Sequence, residues 1–245
     1  MNRFTLHELE DSRFIVDTTD LIGGGIINNG CWERELEDLY SRIIKPDFVI
    51  IDAGANIGYH TVKFAKLGKL VHAFEPILDT YNFLSGNIAV NELSNKIIPY
   101  NIALGDTDGV GEIDSIENME ALNLHFTKAK LDVTRNSGST SIKQSEEGDI
   151  TIAKLDNFDI KPDLIKIDVE GYEGKLLSGA IRTIMTNLPI ILIEIHKDEN
   201  FDSTIDKLLN LGYRIHNPGI GTYKADYICI HPGSKYYQTV ADIIW

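Results

Sequence analysis

The 245-residue sequence predicts an α/β protein built on a largely parallel sheet with helices on both faces. Three observations point there. Short apolar runs alternate with segments of helical periodicity from Phe48 to His231. The first of these runs ends in a glycine turn, Asp52-Ala-Gly54-Ala-Asn56-Ile-Gly58, that opens a helix. The next apolar run ends one unit later in an acid, Glu75. Strands linked through helices require crossovers, which lay helices over both faces of a parallel sheet.

The first thirty residues read as short strands and turns. Arg13-Phe-Ile-Val16 alternates weakly, and Gly23-Gly-Gly25 with Asn28-Asn-Gly30 marks tight turns. Glu33–Ile44 is an amphipathic helix with Leu36, Leu39, Tyr40, Ile43 and Ile44 on one face, stopped by Pro46. Phe48–Ala53 follows as a strand, Tyr59–Leu67 as a helix and Leu70–Phe74 as a strand. Leu78–Val90 is a helix, with Tyr81, Leu84 and Ile88 at helical spacing, and Lys96–Leu104 is a strand. Further on come a strand at Leu164–Val169, a helix at Glu173–Met185, a strand at Pro189–Ile195 and a helix at Phe201–Leu211. Tyr213–His216 and Tyr227–His231 lie close enough in sequence to form an antiparallel hairpin at the sheet edge.

Between Asp106 and Lys161 the alternation lapses among glycines and polar residues, so short strands and a long inserted loop near the acceptor site are expected. The organisation expected is an N-terminal region over 1–45, a main domain over 46–232 carrying the insert at 106–161, and a tail over 233–245. The tail is expected to form a short helix or to cross to another subunit of a homo-oligomer.

The net charge of −14 argues against a nonspecific polyanion binder, so no nucleic-acid partner is expected. Cys31 and Cys229 make neither a disulfide framework nor a zinc quartet and read as reduced thiols. The start of the chain has no apolar leader, and the longest apolar stretch, near Leu188–Ile195, is far below bilayer length. No membrane span and a cytoplasmic location are therefore expected.

The glycine turn gathers backbone N–H groups and a helix N-terminus at one point. Gly54 is expected to let the backbone approach a ligand, Gly58 to allow tight entry into the helix, and Asn56 to accept a positive φ. Glu75, followed by Pro76, stands where a carboxylate accepts hydrogen bonds from a ribose diol. The turn does not match G-x-G-x-x-G, and no G-x-x-x-x-G-K-[ST] segment occurs, which disfavours a dinucleotide site and a P-loop.

Together with Phe74-Glu-Pro76, Asn101-Ile-Ala-Leu-Gly-Asp106 and Ile165-Lys-Ile-Asp-Val-Glu-Gly-Tyr-Glu173, the turn resembles the FkbM-type family of S-adenosylmethionine-dependent methyltransferases. Asn136-Ser-Gly-Ser-Thr-Ser141 and Leu155-Asp156 also resemble family segments, and the similarity runs from Trp32 to Pro232. The resemblance implies a Rossmann-like, doubly wound sheet of seven strands with the last one reversed. It implies that Gly54, Ala55, Asn56 and Gly58 face the methionine part of the cofactor and Glu75 and Pro76 the ribose. Asn101, Ile102 and Ala103 would then lie near the adenine. Asp52 and Asp168 favour an ammonium or sulfonium by charge.

Methyl transfer from a sulfonium is an in-line displacement, and a hydroxyl acceptor must also lose a proton to a base. Asp168 ends one strand, and Glu194 and His196 alternate along the next, so the latter two share a face. His196 is the expected base, oriented by Glu194 or Asp168. No dedicated metal site is expected; Mg²⁺ or Mn²⁺ on Asp168 and Glu194 is the alternative. His60, inside a helix, reads as structural. The expected activity is O-methyl transfer to a small acceptor, most often a sugar of a glycan, glycolipid or natural product. An NAD-dependent oxidoreductase and a non-catalytic binding module on the same fold are the alternatives. The absence of N-P-P-Y and D-P-P-Y lowers the case for an amino-group target on DNA.

Overall fold

The computed structural model describes residues 3–116, 136–138, 140–195, 200–219 and 225–244. Strands β1 (Phe4–Glu8) and β2 (Arg13–Asp17) form an antiparallel hairpin, followed by helices α1 (Leu21–Asn29) and α2 (Arg34–Ile43). The main unit then runs β3 (Val49–Ala53), α3 (Tyr59–Leu67), β4 (Leu70–Phe74), α4 (Leu78–Val90) and β5 (Ile97–Tyr100). Four short strands follow: β6 (Ala103–Leu104), β7 (Gly109–Ile116), β8 (Thr140–Gln144) and β9 (Ile150–Ala153). The chain returns through β10 (Leu164–Ile167), α5 (Glu173–Ser178), α6 (Ile181–Asn187), β11 (Ile190–Ile195) and α7 (Phe201–Asn210). It closes with β12 (Arg214–His216), β13 (Ala225–Ile230) and α8 (Tyr237–Ile244).

Seven strands make the main sheet, in the order β12-β13-β11-β10-β3-β4-β5. β5, β4, β3, β10 and β11 are parallel, and β13 runs antiparallel to both of its neighbours. Alternation along the strands fills two cores. Ile50, Leu164 and Leu192 point to one face, against Leu36 and Tyr40 of α2, Phe64 of α3, Leu84 of α4 and Val240 of α8. Ile51, Ile165 and Ile193 point to the other, against Leu176 of α5, Ile184 of α6 and Leu208 of α7. Each such side chain contributes about 1.5–3 kcal/mol on burial. The tail helix α8 thus packs on its own chain, with Val240 fully buried.

The structure corrects three sequence expectations. Gly23-Gly-Gly25 lies inside α1, not in a turn. The Asp20 side chain accepts the Ile22 N–H and starts the helix, and a Cβ on Gly23 would stand 2.2 Å from the Asp17 carbonyl oxygen. The glycines serve close packing, while Gly30, at φ 69°, ends the helix. Lys96–Leu104 is two strands, because Asn101 turns the chain out of the main sheet: its amide donates to the Glu75 and Pro76 carbonyls, each at 2.9 Å. The short strands expected in the insert close on β6 as a second sheet, in the order β6-β9-β7-β8, a pairing the sequence reading did not foresee. Its small core joins Ala103, Ile142, Ile150 and Ile152 to Tyr172.

The third correction is that Glu173–Met185 is two helices broken at Gly179-Ala180. Gly179 presses on the Gly105 backbone, where a Cβ would lie 1.8 Å from the carbonyl oxygen. Asp156 restarts the helix from a distance, accepting the N–H groups of Arg182 (2.9 Å) and Thr183 (2.8 Å). Gly179→Ala is therefore expected to destabilise the fold by about 2 kcal/mol, lowering the melting temperature by roughly 4–8 °C in thermal denaturation.

Candidate active site

The glycine turn leaves β3 at the centre of the sheet. Gly54, Asn56 and Gly58 adopt φ of 81°, 51° and 86°. Asn56 accepts the left-handed conformation as its residue type allows, its Oδ1 receiving the Ile57 N–H at 2.7 Å. The two glycines are demanded by the protein itself. A Cβ on Gly54 would sit 1.7 Å from the Asp168 carbonyl oxygen, and one on Gly58 would sit 2.6 Å from Leu84 Cδ1. The neighbouring strand end thus already requires glycine at position 54. The N–H groups of Gly54 and Ala55 both donate to the Phe74 carbonyl at 3.0 Å.

Glu75 is buried at the end of β4, and each of its oxygens holds a backbone group. Oε2 accepts the Asn56 N–H and Oε1 the Ile77 N–H, both at 2.9 Å. Burial pushes its carboxyl up to about 7, assisted by Asp52 and Asp168 and opposed by those two N–H groups. A carboxylate offers about four lone-pair sites, so both oxygens retain capacity for hydroxyl donors. Pro76 and Ile102 are partly buried around this point, and Ala103 is buried in the second sheet's core.

Asp52 is fully buried on β3. Its Oδ2 accepts the Thr61 hydroxyl at 2.5 Å, whereas Oδ1 is buried with no hydrogen-bond partner. Lys166, its register partner on β10, places Nζ 3.0 Å from Asp168 Oδ2. Burial works against the Lys166 charge, but Asp168, Asp52 and Glu33 outweigh it and hold its pKa above the ordinary lysine value. Asp168 and Glu194 line one narrow cleft of about 10 Å³ with Glu33, Lys166, Asp226 and Tyr227. His196 lies outside the described residues. Lys166 pairs with Asp168, one of the two carboxylates of the Mg²⁺ or Mn²⁺ alternative. Among the described residues no group of three His, Cys, Asp or Glu is placed to hold a metal ion.

Sequence reasoning missed Lys166, Glu33 and Asp226. A lysine inside the apolar run Leu164–Ile167 was the available signal, because a buried ammonium needs carboxylates around it. Asp226 faces Glu194 across the antiparallel β11–β13 pair, a register no sequence pattern displays. Glu33, at φ 51°, also accepts His60 Nε2 at 2.9 Å, and His60 Nδ1 lies 3.2 Å from the Tyr40 hydroxyl. His60 is structural, as its place in the helix suggests. Glu173 accepts the Gly171 N–H at 2.9 Å and shapes the turn after β10. Both thiols are buried and free.

The sequence profile of the FkbM methyltransferase domain matches residues 52–215. This chain belongs to the FkbM methyltransferase family. The FkbM chain is 25% identical over 201 residues to the hexuronic acid methyltransferase AglP of Haloferax volcanii, covering 79% of this chain and 70% of that one. The crystal structure of an FkbM methyltransferase from Methylobacillus flagellatus superimposes with a TM-score of 0.52 at 15% identity. That match covers 76% of this chain, which spans only 44% of the other. Trm5b from Pyrococcus abyssi shares the fold at a TM-score of 0.53 and 15% identity, over 94% of this chain and 56% of that one. No helix among the described residues is long and apolar enough to cross a membrane.

Two outcomes follow from the buried charges. Glu75 titrates near 7 when folded and near 4.5 when unfolded, so its ionisation costs stability progressively as pH rises between those values. The stability of wild type relative to Glu75→Gln, from urea denaturation, is expected to fall by about 3 kcal/mol across that window. Lys166→Met strips the counter-charge from Asp52, Asp168 and Glu33. It is expected to lose about 3–5 kcal/mol of stability in urea denaturation.

Proposed function

We propose that this protein is an S-adenosylmethionine-dependent O-methyltransferase acting on a sugar hydroxyl. The observation that carries the reading is the pair of carboxylates flanking the glycine turn. Asp52 Oδ1 is buried without a partner, and Glu75 is buried with acceptor capacity to spare. A buried acceptor with no donor is costly unless a ligand supplies one, and the ammonium of the cofactor's methionine part is such a donor. Glu75 then accepts the ribose hydroxyls while it keeps the turn in place, and Asn101 holds the two loops beside the adenine.

When bound, S-adenosylmethionine supplies a methyl group on a sulfonium already activated for displacement. The remaining work falls to the protein: orienting the acceptor, excluding water and removing one proton. Asp168, with its charge balanced by Lys166, stabilises and orients rather than takes the proton. His196 receives the hydroxyl proton, with Glu194 two residues before it in the sequence. The sugar acceptor is supported by AglP, a relative named for hexuronic acid methylation.

Isothermal titration with S-adenosylhomocysteine tests the cofactor. Binding is expected, with affinity falling at least about tenfold in Glu75→Ala. Absence of binding to the wild-type protein would remove the proposal. For the base, His196→Ala is expected to cut kcat by about 10²–10⁴ with cofactor affinity unchanged, and undiminished turnover would assign the proton elsewhere.

A further inference from the structure

Outside the cofactor turn and the Asp168 cleft, the structure holds a cavity of about 480 Å³, within the range of small-molecule sites. It lies between the β1–β2 hairpin, the N-terminus of α1, the N-terminal half of α4 and Ser137. Ile57, in the middle of the cofactor turn, forms part of its wall. The first turn of α4 begins directly after Glu75-Pro76-Ile77, so the cavity adjoins the proposed cofactor site without sharing its ligating residues. Asn87 fixes that geometry, bonding the Ile15 N–H (2.6 Å) and the Ile57 carbonyl (2.8 Å) from inside α4.

The lining has the chemistry of a polyol site. Ser137 Oγ is buried beside the Asp20 carboxylate and makes no well-aligned hydrogen bond, so it retains capacity for a bound molecule. Asp20 anchors the same wall, accepting the Ser137 N–H at 2.8 Å and the Ile22 N–H at 3.0 Å, one on each oxygen. Phe4 and Phe83, with ring centroids 5.6 Å apart, give an apolar surface that matches the C–H face of a pyranose. Asn82 and Thr80 add neutral polar groups.

The charge of the lining is one-sided. Among the described residues, Asp17, Asp20 and Asp79 stand against one cation, Arg3, whose guanidinium is already 2.9 Å from Asp17. Asp79, in the first turn of α4, is exposed. A carboxylate-bearing ligand would meet like charge here, in a chain of net charge −14.

We infer that this cavity is the acceptor subsite, and that it takes a neutral or amino-bearing sugar and rejects a sugar acid. The inference rests on the sugar O-methyltransferase reading above and names the acceptor class for it. The test uses the full chain saturated with S-adenosylhomocysteine. Methyl β-glucoside, methyl β-glucosaminide and methyl β-glucuronide are titrated and followed by saturation-transfer NMR. Methyl transfer from S-adenosylmethionine to each is measured in parallel.

The neutral or amino glycoside is expected to bind and react about tenfold or more better than the glucuronide. Phe83→Ala should weaken all three, and Asp79→Lys should narrow or reverse the discrimination, while both keep wild-type affinity for S-adenosylhomocysteine. Equal or tighter binding of the glucuronide, or discrimination untouched by both variants, would overturn the subsite and leave sugar methylation standing. If S-adenosylhomocysteine binds but no glycoside binds or is methylated, the sugar reading falls and the subsite with it.

Discussion

The hydrogen bonds from the Asn56 and Ile77 N–H groups to one buried carboxylate, Glu75, organise the functional edge of this molecule. They tie the turn after β3 to the loop after β4, and Asn101 carries the tie onward to the chain leaving β5. Three consecutive strand ends are thereby locked together. Burying an acid is unfavourable, and the upward displacement of the Glu75 carboxyl measures that cost. The backbone donors offset part of it, and a ribose would offset more. The turn is held in shape by a carboxylate whose two oxygens keep further acceptor capacity.

The same logic recurs one strand away. Lys166 is an ammonium set in an apolar strand, stabilised only because Asp52, Asp168 and Glu33 surround it. The acids lie at the carboxyl ends of β3 and β10 and at the start of α2, so the cluster fixes the N-terminal helices relative to the sheet. Removing any one member leaves the others with unbalanced charge. The arrangement gives Asp168 a fixed position beside the turn, and it brings Glu194 and Asp226 to the same cleft. Around this rigid centre the N-terminal hairpin, α1 and Ser137 form a more open wall around the larger cavity.

Much of this was legible in the residues. The turn, Glu75, the order of strands and helices from Phe48 onward and the edge hairpin all follow local rules: period, glycine placement and strand-end acids. The helical glycines at 23–25 were misread because glycine punctuates loops far more often than it packs a helix against a carbonyl. The break at Gly179 was invisible because its cause, the Gly105 backbone, is more than seventy residues away. The second sheet was expected only as short strands, because their pairing with one another and with β6 depends on contacts no local pattern displays.

What the sequence determined by itself is therefore what short segments carry: a glycine turn between strand and helix, an acid one unit later and acids at two further strand ends. These depend on residue type and on spacing along the chain, which the sequence displays directly. Only the tertiary structure decided which groups face one another. It placed Lys166 against Asp168, Asp226 opposite Glu194, Asp20 beneath Ser137, and Gly54 against the Asp168 carbonyl. Apart from Lys166 and Asp168, which stand two residues apart, these contacts join segments far apart in sequence, and the energy of each depends on distance and burial, which exist only once the chain has folded.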